Sequence, residues 1–222
     1  MTLSRGSEPP LPAFATTSLR RESFLLLAGC HSYAGGSIFN SVLTTNRDRK
    51  TVSDYMRLDE TTRVELIQGE FFMTPSPTYR HQAVVRNLLV LLHSFVTRAG
   101  LGQIVPAPLD VILSEHDVVQ PDLVFVAADH FDRIKERLHG PPDLAVEILS
   151  ASNAERDRIV KRDLYRQYGV PEYWIVDPDA QTIEVLSLES GEWRLHGIFG
   201  KSEELASPIL PGLRLSLEQV FV

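Results

Sequence analysis

Cysteine is almost absent from this chain of 222 residues; Cys30 is the only one. An internal disulfide framework is therefore excluded, as is a structural zinc site built on thiolates, and a reducing, cytoplasmic compartment fits. No apolar run approaches the roughly 20 residues that a membrane span needs. The seven histidines show no metal-ligand spacing. A Gly-x-Ser-x-Gly nucleophile elbow is missing. Gly200-Lys201-Ser202 resembles the end of a phosphate loop, but the earlier glycine it requires falls on Leu195. Disulfide scaffolds, spanning helices, serine hydrolases of the elbow type and P-loop enzymes are thus set aside.

Basic charge is also scarce outside one region. Residues 1–50 hold six Lys/Arg against three Asp/Glu, a net of +3, which leaves 16 basic and 26 acidic residues, a net of −10, for the remainder. An acidic body argues against broad, non-specific nucleic-acid binding. It does not exclude a local site where a metal ion inverts the field. Residues 1–50 are rich in Ser, Thr, Gly and Pro without sustained periodicity, and are expected to be disordered or an extension upstream of the true start. Within them, Leu27-Ala28-Gly29-Cys30 mimics a lipoprotein cleavage box, but the apolar stretch Phe24–Gly29 falls short of the roughly 7–15 residues of a signal.

What is present begins near Thr51, and residues 51–222 read as one domain. A short helix over Val52–Thr62, with Ser53 as N-cap, leads into two strands between Val64 and Met73 that turn at Gln68-Gly69. Val84, Val85, Leu88, Leu89, Leu92, Phe95 and Val96 recur at helical spacing, predicting a long helix over His81–Arg98. Strands are expected at Gln103–Val105, Leu109–Leu113 and Asp122–Val126, then a short helix over Phe131–Arg137. Asp143–Leu149 reads as a central strand buried on both faces. A second long helix is expected over Ala154–Tyr168 with Ile159, Leu164, Tyr165 and Tyr168 facing inward. Next come a strand at Glu172–Val176, a hairpin of Thr182–Leu188 with Trp193–Phe199, and a last short helix over Ser216–Phe221. The alternation predicts α/β layers around a mixed sheet, with a right-handed parallel crossover between the strand of Glu147 and the Glu172–Val176 strand.

Glu147 is the most telling residue, because it interrupts the apolar run Leu144–Leu149. A buried carboxylate needs a partner. Glu147 is either paired with a structural Arg or Lys or at a strand end open to solvent, or it holds a divalent cation, and periodicity alone leaves these readings open. Asp122, in Gln120-Pro121-Asp122, begins a strand expected beside that of Glu147. Together the two form an oxygen pair of the kind Mg²⁺ takes along with waters and substrate phosphate. Lys161 is spaced i,i+4 from Asp157, which is a routine surface pair unless the helix leans the lysine over the carboxylates. An Asp, a Glu and a Lys on adjacent elements are what a metal-dependent phosphodiester nuclease requires. Glu65 and Asp110 are further acids that could complete a metal shell or face solvent. His81 opens the long helix, where a contact to phosphate or water competes with a structural role. Glu172 and Tyr173 read as packing and hydrogen-bonding residues.

An ordered set of motifs resembles a known family. It runs from Val64-Glu65-Leu66-Ile67-Gln68-Gly69-Glu70 through Pro75-Ser76-Pro77 and His81-Gln82 to Val119-Gln120-Pro121-Asp122-Leu123-Val124. It continues with Pro142-Asp143-Leu144-Ala145-Val146-Glu147-Ile148-Leu149-Ser150, then Asp157, Lys161 and Tyr165, and ends with Gly169-Val170-Pro171-Glu172-Tyr173-Trp174-Ile175-Val176-Asp177-Pro178. From about Tyr55 to Pro178 the chain resembles the Uma-type endonucleases of the PD-(D/E)xK superfamily. The resemblance implies a restriction-endonuclease-like core of helix, three strands, helix and strand, with flanking hairpins. It also implies a Mg²⁺-dependent DNA endonuclease, with Mn²⁺ as a substitute metal. The superfamily's acids fall on Asp122 and Glu147, and the family's upstream acid falls on Glu65. The superfamily's usual lysine position holds Leu149, and the family's pattern supplies Lys161 instead. Two other readings stand beside this one. The first is a non-catalytic nucleic-acid-binding or regulatory descendant of the fold. The second is an interaction module, homodimeric through the terminal hairpin or through Trp193 and Phe199 as exposed aromatics.

Overall fold

The computed structural model describes residues 49–59, 61–151 and 154–222. These fall within a unit spanning Thr45–Val222. The expectations for residues 1–48, Cys30 and its cleavage-box mimic included, lie outside the described residues.

Thr51 rather than Ser53 caps the first helix. Its hydroxyl accepts from the Asp54 N–H while the Asp54 carboxylate accepts from the Thr51 N–H, a reciprocal capping box. That helix, α1, is only Val52–Tyr55, shorter than the expected 52–62. Strands β1 (Val64–Ile67) and β2 (Glu70–Met73) follow, joined at Gln68-Gly69. Both turn residues have positive φ, 53° and 78°, the backbone that a tight two-residue hairpin demands and that glycine adopts freely. The long helix α2 is Tyr79–Ala99. Thr78 caps its start and left-handed Gly100 ends it, while Val84, Leu88, Leu92 and Val96 form its buried stripe.

Strands β3 (Gly102–Pro106), β4 (Val111–Ser114), β5 (Asp117–Val119), β6 (Leu123–Ala127), β7 (Leu138–His139) and β8 (Leu144–Ile148) come next. A 3₁₀ helix over Ala128–Arg133 replaces the expected helix at 131–137. Residues 156–161 are π-helical and run straight into α3 (Arg162–Gln167). Then follow β9 (Glu172–Asp177), the hairpin β10 (Thr182–Glu189) with β11 (Glu192–Gly200), and the short pair β12 (Glu204–Leu205) with β13 (Leu215–Ser216). The expected last helix is absent: Leu215-Ser216 pair as a strand and Leu217–Val220 close a turn, with Val220 and Phe221 N–H both donating to the Leu217 carbonyl.

The strands form two main sheets, β2-β1-β5-β4-β7 and β11-β10-β9-β8-β6-β3. In the larger sheet β8 and β9 run parallel, as the crossover predicts, and β8 pairs antiparallel with β6. One face of β8 (Leu144, Val146, Ile148) rests against α2 and the C-terminal segment. Its other face (Ala145, Leu149) rests against Leu164, Tyr165 and the smaller sheet. This is the mixed α/β, restriction-endonuclease-like core with flanking hairpins that the sequence leads one to expect. β8, at its centre, carries Glu147 on the face toward α3.

Candidate active site

Glu147 lies on β8 with only 3% of its surface exposed. Its Oε1 accepts from Lys161 Nζ at 2.9 Å and from the Tyr165 hydroxyl at 2.6 Å. Lys161 Nζ also lies 2.8 Å from Glu65 Oε1 and 3.6 Å from Asp157 Oδ1. The lysine therefore leans over the carboxylates, and the i,i+4 pair of Asp157 with Lys161 is buried rather than on the surface. Spacing accounts for this placement: Asp157, Lys161, Leu164, Tyr165 and Tyr168 recur three and four residues apart and share one face of the helical stretch, while Ile159, two residues from both Asp157 and Lys161, points out, 56% exposed, against the expectation that it faces inward.

Asp122 sits one residue before β6, and its Oδ2 accepts from the Ile148 N–H at 2.7 Å, next to Glu147. His81 Nε2, from the first turn of α2, lies 3.3 Å from the same oxygen. The Asp122 side chain is 19% exposed, which makes it the most open acid of the cluster. Arg156 approaches from a third side. Its Nε is 4.0 Å from Glu65 Oε2, its Nη1 donates to the Met73 carbonyl, and its guanidinium lies 5.9 Å from the centre of the Phe72 ring.

Asp110 has a different set of partners. It accepts from Tyr55, Gln120 and Arg137. Gln120 links the two groups, since its backbone N–H donates to Glu65 Oε1 at 2.8 Å.

One lysine is thus shared by Glu65, Glu147 and Asp157, with Asp122 close by. Burial pushes the Glu147 carboxyl well above its ordinary range; Lys161 pulls it down, but Asp157, Asp122 and Glu65 push it up again. Asp157 is raised to about 6, by burial first. Burial works against the charge on Lys161, yet Glu147, Glu65 and Asp157 outweigh it and hold the ammonium protonated. Burial likewise works against a charged His81, and Asp122 outweighs it, so the net shift is upward. Several buried polar atoms of this cluster have no hydrogen-bond partner among the described residues: Glu65 Oε2, Asp157 Oδ1, His81 Nδ1, and Arg156 Nε and Nη2. Orphans of this kind are rare in folded proteins and call for an explanation.

For a hard divalent cation the donor chemistry fits. The cluster offers excess carboxylate charge and free carboxylate oxygens. Among the described residues no three His, Cys, Asp or Glu side chains are gathered as a ready-made metal group. Asp122 and Glu147 would supply two carboxylates, the number Mg²⁺ commonly takes from protein.

Residues 52–218 match the model of the Uma2 family, described as "Putative restriction endonuclease". The chain belongs to this family. A solved structure from Anabaena variabilis, titled a "putative nuclease belonging to DUF820", is similar at 22% identity and a TM-score of 0.65, covering 77% of this chain and 97% of that one. No curated protein matches the chain. At this identity the structural likeness speaks for the fold alone. For a Uma2 member, the motif acids and Lys161 converge in space although they come from four separate elements.

Sequence reasoning missed Arg156 and the inward turn of Asp157. Arg156 carried no signal beyond its closeness to Lys161. Trp193 and Phe199, expected as exposed aromatics, are partly buried against the two cores, and the Trp193 indole donates to the Arg162 carbonyl. The exposed apolar side chains of β11 are Leu195 and Ile198 instead. Among the described residues no helix is long and apolar enough to cross a membrane.

Proposed function

We propose that this Uma2 member is a Mg²⁺-dependent DNA endonuclease, with Asp122 and Glu147 as metal ligands and Glu65 as the neighbouring acid. Asp110 serves the scaffold beside the site. The single observation that supports this most is one protonated lysine set against three buried carboxylates, with orphaned oxygens on two of them. A structural ion pair would not gather surplus acids in the interior, where each ionised group costs several kcal/mol unless compensated.

A bound Mg²⁺ would supply Lewis acidity and a water of lowered pKa. The chain's own residues do the rest. Asp122 is oriented by the Ile148 N–H and by His81, so its carboxylate is fixed before any ligand arrives. Lys161, held charged, does not accept a proton. It serves as a donor that offsets negative charge developing on the phosphoryl group. Tyr165 and Lys161 together fix the Glu147 carboxylate.

The test is cleavage of plasmid and linear DNA across Mg²⁺ and Mn²⁺ titrations. Nicking that appears with metal and disappears with EDTA is expected. Metal-independent nicking, or wild-type-level nicking by Glu147→Ala, overturns the reading. Burial of Glu147 and Lys161, each 3% exposed, favours one rival, a non-catalytic descendant that binds nucleic acid. DNA binding with no cleavage under any metal would establish that rival instead.

A further inference from the structure

A cavity of about 360 Å³ is lined in part by Gln120, whose backbone N–H reaches the acid cluster, and it has no part in the proposed chemistry. Its wall combines apolar side chains, among them Met56, Leu58 and Leu109, with the polar set Tyr55, Gln120 and Arg137. We propose that this cavity receives one nucleobase, swung out of the DNA stack, next to the phosphate held at Asp122 and Glu147. The proposal rests on the nuclease reading above and names how that site would choose its substrate.

Hydrogen-bond accounting carries the argument. The Gln120 amide N–H₂ donates to the Tyr55 hydroxyl at 3.1 Å and to Asp110 Oδ1 at 2.8 Å. Both amide hydrogens are spent, and acceptance by a carboxylate fixes which end of the amide is nitrogen. The amide oxygen has no partner among the described residues. Asp110 Oδ2 accepts from Arg137 Nε at 2.9 Å, and the terminal guanidinium nitrogens carry no hydrogen bond among the described residues. Nη1 lies 3.6 Å from Glu136 Oε2. The cavity therefore presents one oriented acceptor and a set of oriented donors between apolar walls. A base edge, with acceptor and donor side by side on a flat ring, is what this combination matches.

Charge selects against other ligands. Asp59, Asp110 and Glu136 all line the cavity, so a phosphate or another anion is repelled. Arg137 disfavours a free cation. A neutral polar ring avoids both penalties. The volume is at the lower end of the roughly 300–1,000 Å³ of small-molecule sites, suited to a compact group.

Position ties the cavity to the acids. Gln120 and Asp122 are two residues apart, about 7 Å at most along an extended chain. The Gln120 N–H donates to Glu65 Oε1, which also lies 2.8 Å from Lys161. A group bound at Gln120 is thus one nucleotide away from the phosphate site. Unstacking a base costs a few kcal/mol, least where it is mismatched or already single-stranded, so distorted or unpaired DNA becomes the preferred substrate.

The test uses the full chain in EDTA with duplex and single-stranded DNA carrying 2-aminopurine, whose emission rises on unstacking. The probe is walked along one strand. Wild type is expected to raise the duplex emission several-fold at one position. Leu58→Trp, which fills the cavity, should abolish the rise while the duplex remains bound by fluorescence anisotropy. Met56→Trp, at another lining position, repeats the test if Leu58→Trp fails to fold. Binding without a rise at any position overturns the proposal, as does an undiminished rise in both variants or a failure of wild type to bind DNA. Parallel assays in Mg²⁺ separate this from the nuclease reading. Unstacking without cleavage leaves the cavity assigned and sinks the nuclease. Cleavage without unstacking does the reverse. Where cleavage occurs, wild type should discriminate among the four bases at that position by about tenfold, and the filled variants should not.

Discussion

Glu147 and Glu172 are both buried glutamates on neighbouring parallel strands, 3% and 0% exposed, and they have opposite surroundings. Glu172 accepts from the Trp174 indole, the Ser207 hydroxyl and the Ile209 N–H, all neutral donors. It clips β9 to the C-terminal segment, and neither of its oxygens is orphaned. Glu147 instead shares one ammonium with Glu65 and Asp157, and orphaned atoms surround it. Burial raises the pKa of both carboxyls; at Glu147 the Lys161 ammonium pulls it down and Asp157, Asp122 and Glu65 push it up again, and it ends well above its ordinary range, whereas neutral donors pull Glu172 down. The comparison shows that burial alone does not mark a functional carboxylate. What marks it is unbalanced charge that the fold maintains without resolving.

The sharpest way to break the comparison is to remove each glutamate and read activity. Glu147→Ala should reduce metal-dependent DNA cleavage below detection, a loss of at least about a thousandfold by analogy with removal of a key transition-state group. Per folded molecule, Glu172→Ala should cleave like wild type. If both variants lose activity equally at equal folded fraction, the two acids are not different in kind.

Stability gives the next contrast. Lys161→Ala leaves three buried acids without their shared cation. Losing one partner of a buried ion pair costs about 3–5 kcal/mol. Glu172→Ala strands three neutral donors, and with partial relaxation its cost is about 3 kcal/mol. Urea unfolding of both variants in EDTA checks the order. A Lys161→Ala variant as stable as wild type would show that the acids simply protonate at no cost.

Much of this was legible in the sequence for reasons that differ from residue to residue. Glu147 stands out because a charge inside an apolar run contradicts burial, and strand alternation puts it on one face with Ala145 and Leu149. The α2 stripe and the Gln68-Gly69 turn followed from spacing and backbone chemistry. Ile159 was misplaced because it is apolar: the inward positions before Leu164 are held by the charged Asp157 and Lys161, which a search for apolar side chains passes over, and Ile159 stands on the opposite face. In place of the last helix expected over Ser216–Phe221, Leu217, Val220 and Phe221 are buried from a turn that Leu215-Ser216 pairing starts. The strands β5 and β7 are too short, at three and two residues, for alternation to register. The Asp110–Gln120–Arg137 network joins side chains far apart in the chain, and no local pattern announces it.

The smallest expected effect tests the surplus charge itself. Asp157 is raised to about 6 in the folded chain, from an ordinary 3.8. The folded state therefore keeps a proton over a range of pH in which the unfolded chain has lost it. By linkage, this group's contribution to stability is fully present below about pH 4 and is lost as pH rises through about 6. Glu147, pushed in the same direction and further, extends the loss to higher pH. Asp157→Asn removes one such acid but also one partner of Lys161, so it should stabilise the metal-free protein at pH 7 by only about 1 kcal/mol and flatten the fall between pH 4 and 6. Millimolar Mg²⁺ should stabilise wild type more at pH 7 than at pH 5, because the cation must displace protons to bind. Thermal melts in EDTA and in Mg²⁺ across this window measure both effects. A metal-free stability that rises steadily from pH 4 to 7 in wild type would mean that the carboxylates around Lys161 are fully compensated in the folded chain, and the surplus charge that sets Glu147 apart from Glu172 would fall.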